Sequence, residues 1–296
     1  MLTGKIKTAI VFTDRNKALD KESIFMDDDF LHRDVSSFGR RVFRLGLATN
    51  YGIEGEDLEW ALEKGVNYIF WTPSARRVTA SLKAALNRDR ESIILACGPT
   101  TGYFGGSIKR ACDRLLKTLG TEYLDVFQLF WLGRTSIWTS STIDALVSLR
   151  ESGKVRAIGV SIHDRKQAGK LAKDSPLDML MVRYNAAHTG AEQDIFPHLA
   201  KGKPALIAYT ATRWRGLLKR PRGWSGPVMT ASDCYRFCLS NPHVDIVLTG
   251  PKTRQQLQEN VQKLREKGPL SEEENDWIRD YGQIVHKKSS RFTFRF

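Results

Sequence analysis

The groups best suited to chemistry in this 296-residue chain stand in short polar stretches: His163-Asp164-Arg165, then Arg183-Tyr184-Asn185 with His188 and Glu192 beyond it, and the phenol of Tyr103. A histidine beside an aspartate has the makings of an oriented general acid, although a lone loop histidine more often fills a structural hydrogen bond. His188 and Glu192 are four apart, so a helical turn would bring them together as metal ligands or as an acid and a base. No further ligand completes such a set, and a surface turn is the plainer reading. Arg183, at the end of an apolar run, needs an anion: a ligand carboxylate or phosphate, or Glu192. Cys97, Cys112, Cys234 and Cys238 show no CxxC spacing. Cys234 and Cys238 read as small apolar residues on one buried helix face, and all four cysteines as reduced thiols of a cytoplasmic protein; no metal is expected. Gly102, Gly105 and Gly106 ahead of Ser107 could cradle an anion on a helix N-terminus, with a flexible turn as the simpler account.

What must position these groups is an alternation of strands and helices. Tyr123 to Trp131 is aromatic and β-branched and follows a helix closed by Gly120, so it reads as a strand covered on both faces. Its end holds Phe130 and Trp131, where a parallel barrel keeps its chemistry. No acid, base or nucleophile stands there. Ahead of it Ile108, Ala111, Cys112, Leu115, Leu116 and Leu119 recur at helical spacing. The same reading gives strands at 43–47, 66–71, 92–96, 123–131, 155–161, 177–184, 205–209 and 244–249, each followed by a helix, including a short one at 195–199. That count predicts an α/β fold, a (β/α)8 TIM barrel. Alternating segments around Ser36 to Gly39 predict a hairpin plugging its lower end, and Ser271 with Glu274 a capping box that starts an extra C-terminal helix. A doubly wound sheet would want a glycine fingerprint that Gly46 to Gly55 does not supply. The expected organisation is an N-terminal extension over 1–31, the barrel over 32–286 and a basic tail over 287–296.

Composition narrows the partners. With 41% hydrophobic and 27% charged residues the chain can bury a large core. No apolar run reaches the roughly 18 residues of a membrane span, and the patch Ala9-Ile10-Val11-Phe12 is too short for a signal peptide. The net charge of +13 would attract nucleic acid, membrane surfaces or anionic ligands. It is spread along the chain, which favours a solvated basic surface first, an anionic small ligand second and nucleic acid last. One basic cluster runs from Arg213-Trp214-Arg215 to Arg222-Gly223-Trp224; its tryptophans would permit base stacking, a minor alternative.

Several segments, weak singly, combine into a resemblance. They are Arg44-Leu45-Gly46-Leu47, Gly65-Val66-Asn67-Tyr68, Leu119-Gly120-Thr121-Glu122-Tyr123-Leu124-Asp125, Gly153 through Ser161, and Gly250 followed by Gln256 through Asn260. In that order and spacing the chain resembles the aldo/keto reductases over about 32–286. The resemblance implies an NADP(H)-dependent carbonyl reductase with its cofactor across the barrel mouth, a Tyr proton donor tuned by a Lys and an Asp, and a His that orients substrate. Carried over one at a time, the Asp falls on Phe70, the Tyr on Ala75, the Lys on Gly98 and the His on Phe130, so all four are substituted. On the cofactor side Tyr209 matches the aromatic beneath nicotinamide, Gly216 and Leu217 the loop over the pyrophosphate, and Glu259 and Asn260 the pair at adenine. Ser161 matches one carboxamide contact, while its usual amide neighbours are Ile162 and Met181. Gly250, Lys252 and Arg254 begin the last helix, where a 2′-phosphate would meet the helix dipole, and the loop from Arg213 to Arg222 would fold over a pyrophosphate. A solvated charged loop is an equal alternative for both. Two readings stand: a divergent oxidoreductase using NADP(H) with His163 or Tyr103 as replacement acid, or a cofactor- or anion-binding pseudoenzyme with a sensing or partner role. The expected partner is a small molecule, anionic or carbonyl-bearing, with no membrane; the sequence carries no signal of oligomeric state.

Overall fold

The computed structural model of the chain describes residues 30–199 and 204–293, so all but the end of the expected extension lies outside the described residues. The chain enters through a hairpin, β1 (His32–Val35) and β2 (Arg40–Phe43), paired antiparallel with His32 opposite Phe43. Gly39 turns it at φ 64°, a conformation that costs glycine little. Val35, Phe38 and Val42 insert among Tyr68, Ile94 and Val126 inside the barrel, and Phe38 stacks on Tyr68 at 6.0 Å. The hairpin plugs the lower end as expected. The predicted strand at 43–47 instead divides at Arg44. That side chain is buried and donates to the carbonyls of Phe30, Leu239, Val244 and Asp245, which fixes the bend from hairpin into barrel.

Eight parallel strands then close on themselves: β3 (Leu45–Ala48), β4 (Tyr68–Phe70), β5 (Ile94–Cys97), β6 (Leu124–Leu132), β7 (Val155–Ile162), β8 (Met179–Arg183), β9 (Ala205–Tyr209) and β10 (Ile246–Thr249), with β10 pairing back onto β3. Helices α1 (Gly55–Glu63), α2 (Arg76–Arg88), α3 (Gly105–Leu119), α4 (Ser140–Glu151), α5 (Arg165–Lys173), α6 (Ala191–Asp194), α7 (Ala231–Ser240) and α8 (Arg254–Lys267) follow the strands in turn. The stripe Ile108, Cys112, Leu115 and Leu119 of α3 is buried, as its spacing requires. The helix expected at 195–199 is α6 plus a 3₁₀ turn at Phe196–His198, because Pro197 has no N–H to continue the ladder. Gly105 serves packing rather than anion binding: a Cβ there would sit 2.4 Å from the Ser141 carbonyl oxygen of α4.

Ser271 and Glu274 form the reciprocal capping box. The helix it starts, α9 (Glu272–Thr293), runs through the boundary expected at 286.

Three aspartates at the starts of alternate strands fasten the lower end. Asp125 accepts from the Leu95 N–H at 2.9 Å and Arg90 at 2.7 Å; Asp178 accepts from the Ile158 N–H at 3.1 Å and Arg150 at 2.6 Å; Asp245 accepts from the Leu206 N–H at 2.7 Å and Arg33 at 3.1 Å. Each ties one strand to its neighbour with a charge-assisted bond.

Candidate functional site

Where the strands end, a cavity of about 810 Å³ crosses the barrel mouth. Its floor is apolar because the last inward positions of the strands carry Phe70, Phe130, Met181 and Leu248. The Phe70 and Phe130 rings meet edge to face at 5.7 Å. Tyr209 and Ser161 form one wall, and Lys252, Gln256, Glu259 and Asn260 the other. Tyr51 and Trp214, with ring centroids 6.4 Å apart, reach toward each other from opposite loops.

The backbone around this cavity is strained. Trp131 (φ 45°), Thr210 (φ 55°), Arg213 (φ 51°), Trp214 (φ 52°) and Arg215 (φ 67°) all occupy the left-handed region, at a cost of roughly 1–2 kcal/mol for each L-residue. Trp131 is held there by its N–H, which donates to Ser161 Oγ at 2.9 Å, at a register shift between Leu129 and Leu132 of β6. Thr210 is β-branched, and its Oγ1 is buried without a partner. Strain of this kind gathers at functional sites. A Cβ on Gly216 would lie 2.7 Å from the Arg213 guanidinium, which would have to swing aside.

A second hollow of about 360 Å³ adjoins the first, lined by Trp131, Arg134, His163 and Arg183. His163 Nε2 lies 2.9 Å from the Tyr209 hydroxyl. Burial and then the charges of Arg183 and Arg134 pull the His163 pKa below its usual 6.5. Burial pushes the Tyr209 phenol up to about 12 against the pull of Arg183. Arg183 itself is shifted down, first by burial, with Arg165 and Arg213 adding repulsion.

Other expected site residues fall as follows. Tyr103 stands at the exposed rim and donates to the Arg134 carbonyl, outside both cavity linings. Arg254 bonds Asp57 at 3.1 Å and the Glu56 carbonyl and lies over Trp60, which commits it to α1. Lys252 lines the cavity and has no ion pair among the described residues. Glu259 accepts from Gln255, and the Asn260 amide donates to Thr249. Leu217 is fully buried core, and a Cβ on Gly250 would meet the Tyr51 ring at 2.5 Å. Ala75 caps α2, and a Cβ on Gly98 would lie 1.9 Å from the Gln128 carbonyl oxygen, so no side chain fits there.

The pairing of His188 with Glu192 does not form. His188 meets Asn185 Oδ1 at 3.1 Å and the His286 ring, while Glu192 accepts from Tyr184 at 2.6 Å and Arg279 at 2.9 Å. Among the described residues no His, Cys, Asp and Glu group could hold a metal ion, and no helix is long and apolar enough to cross a membrane. The four cysteines are free and buried.

The aldo/keto reductase family profile matches residues 97–233. The chain is 26% identical over 211 residues to the aldo-keto reductase YhdN of Bacillus subtilis (strain 168), with 62% of each chain covered. Over these segments the chain is similar to the aldo/keto reductases. Another relative, the methylglyoxal reductase YeaE of Escherichia coli (strain K12), is 29% identical over 139 residues, 46% of this chain and 48% of that protein. The chain thus spans between about half and under two thirds of the length of these relatives. Among solved barrels, that of a Klebsiella pneumoniae aldo/keto reductase in complex with NADP and acetate shares the fold with a TM-score of 0.70 at 20% identity, over 86% of this chain and 95% of that one.

Sequence reasoning missed three residues that line these two cavities. Tyr51 and Thr210 join it through loop geometry, of which the only sequence trace is the nearby glycines, Gly52 at φ 126° among them. Arg134 joins it across a turn at Gly133 (φ 88°), one more arginine in an arginine-rich chain.

Proposed function

We propose that this chain binds NADP(H) in the mouth cavity and that any carbonyl reduction it performs uses His163 in place of the aldo/keto reductases' tyrosine as proton donor. The observation that carries the reading is one continuous cavity joining Lys252, Gln256 and Glu259 to Ser161 and Tyr209, with His163 hydrogen-bonded to Tyr209 beside it. The phosphate side suits the dinucleotide: Lys252 is an uncommitted cation, Thr210 Oγ1 a buried hydroxyl without a partner, and Arg215 a second lining cation. The other end offers less. Ser161 Oγ accepts from Trp131 yet keeps a hydroxyl proton to donate, while Ile162 and Met181 give no amide contact. Lys252 and Arg215 would hold the phosphates, Asn260 and Glu259 the adenine side, and Tyr209 and Ser161 the nicotinamide.

When bound, the dinucleotide supplies a hydride. The chain must then supply a proton to the carbonyl oxygen. Phe70, Ala75, Gly98 and Phe130, at the positions the resemblance gives to the usual machinery, have no proton to give. His163 does, is exposed enough to reload from water, and is fixed by Tyr209. Because its pKa is lowered, the acid form is populated only below pH 6.5. Reduction should therefore rise as pH falls through that range, and His163→Gln should remove the rise.

A second reading is binding without turnover, favoured by the Phe70–Phe130 pair and by a Gly98 that no lysine can replace. Titration with NADPH and, separately, with 2′-phospho-ADP lacking nicotinamide distinguishes them. Tighter binding of NADPH supports the redox reading, equal binding of both leaves only the second, and binding of neither overturns the proposal.

A further inference from the structure

The smaller hollow beside the mouth has a one-sided charge. His163 faces it from the end of β7, Arg183 from the end of β8 and Arg134 from the loop after β6, with Trp131 as its apolar wall. Acids on the neighbouring elements are engaged elsewhere: Glu192 pairs with Arg279 at 2.9 Å, Asp194 with Arg165 at 2.7 Å, and Asp164 caps α5 by accepting from the Gln167 N–H at 2.9 Å. Neither Arg134 nor Arg183 has an ion pair among the described residues. Arg183 is half-buried while Arg134 is exposed, and a cation such as Arg183, drawn partly out of water without a partner, costs free energy unless an anion joins it. The field is felt beyond the hollow. His188 is pushed down to about 4 by burial and then by Arg183, Arg213, His286 and Arg165, and His163 is lowered by burial, Arg183 and Arg134.

We infer that this hollow is the subsite for the acidic group, a carboxylate or a phosphate, of a small-molecule ligand, gripped by the guanidinium groups of Arg183 and Arg134 with the His163 imidazole as a further donor. Guanidinium groups suit it because their planar donor forks match two oxygens of either anion at once. Trp131 lines both hollows, so a ligand anchored by its acid extends past that indole into the main cavity. Where the NADP(H) reading holds, this subsite makes the substrate a carbonyl compound that carries an acidic group. The subsite itself rests on different residues from the dinucleotide site, Trp131 excepted, and is tested without dinucleotide.

The test is histidine-labelled NMR of the full chain, titrated with inorganic phosphate and separately with malonate, the His163 resonances being assigned by their loss in His163→Gln. Binding next to His163 should shift its resonances saturably and raise its pKa, because the anion offsets the repulsion from Arg183 and Arg134. Arg183→Gln and Arg134→Gln should each weaken the response about tenfold, the net worth of a hydrogen bond to a charged group. Arg134 stands on an exposed loop, so its variant remains informative should Arg183→Gln fold poorly. Lys263→Gln, on the solvent face of α8, should leave the response unchanged. A response to phosphate alone or to malonate alone supports the subsite and identifies the anion. No shift with either probe, or equal shifts in the wild type and both arginine variants, overturns it. Failure here leaves NADPH binding untouched, and failure of NADPH to bind leaves this titration interpretable.

Discussion

At the lower end of the barrel Arg90, Arg40 and Arg156 converge on Asp125, whose carboxylate also takes the Leu95 N–H, and Tyr123 lies between Arg90 and Arg156 at 3.8 and 3.9 Å. At the upper end Arg134 and Arg183 converge with His163 on a hollow that holds no carboxylate of the chain among the described residues. The contrast separates two uses of clustered arginine. Below, every charge is matched and the backbone is regular, so the arginines act as fasteners. Above, charge is unmatched and the left-handed residues Trp131, Thr210 and Arg213 to Arg215 crowd the same loops. A fold that tolerates both costs in one place is holding that place for a ligand.

The largest effect should come from removing a fastener. Asp125→Ala leaves the Leu95 N–H without its acceptor and Arg90 without its counter-charge, and should lower unfolding stability by about 3–5 kcal/mol, the cost of breaking a buried pair. Arg183→Gln, at the other end, removes an unmatched cation and should leave stability unchanged or raise it. Chemical denaturation of the two variants measures the contrast directly. Equal losses would mean that Arg183 is as structural as Arg90 and would dissolve the distinction between the ends.

A smaller effect separates two basic residues on the same turn. Lys252 and Arg254 look equivalent in sequence, but Arg254 is bound to Asp57 while Lys252 faces the cavity. Lys252→Ala should weaken NADPH about tenfold, in keeping with roughly 1.5 kcal/mol or more for a charged hydrogen bond. Arg254→Ala should instead act mainly on thermal stability, by loosening α8 from α1. Calorimetric titration and melting curves of both variants check this, and the reverse assignment would contradict the geometry.

That pair also marks how far the sequence could be read. The barrel was legible because burial on both faces forces apolar runs in the strands, and helical periodicity in α3 names its buried face residue by residue. The hairpin plug and the Ser271–Glu274 cap were legible because each depends on neighbours in sequence. Which arginine is free was not, since it depends on acids such as Asp57 and Asp194 that come from distant elements. The His163–Tyr209 contact spans 46 positions and two strands; only the inward parity of both strand ends hinted at it. The three aspartates of the lower end carry no local signal either, because each acts on the strand before its own.

The smallest effect concerns acid. His188 sits under the positive field of the mouth, with Arg183, Arg213, His286 and Arg165 facing it, and its pKa in the folded chain is about 4 against the ordinary 6.5. Between those values the folded chain binds fewer protons at His188 than the unfolded chain, so stability rises with pH across the window and is lost as pH falls from 6.5 toward 4. The group is partly exposed, and after solvent screening the loss should reach at most about 1 kcal/mol. Glu91 at the lower end behaves oppositely in position. Hydrogen bonds from Arg156, Tyr123 and Arg40 hold its carboxyl well below 4.5, so its contribution is present above 4.5 and fades only at lower pH. Denaturation curves between pH 7 and pH 4 should therefore show a slope that His188→Gln flattens and Glu91→Gln does not. If Glu91→Gln flattened the slope in that range, the acid sensitivity would belong to the fasteners rather than to the mouth. Adding the anion that fills the Arg134–Arg183 hollow should shrink the same slope, because it removes part of the field that keeps His188 neutral.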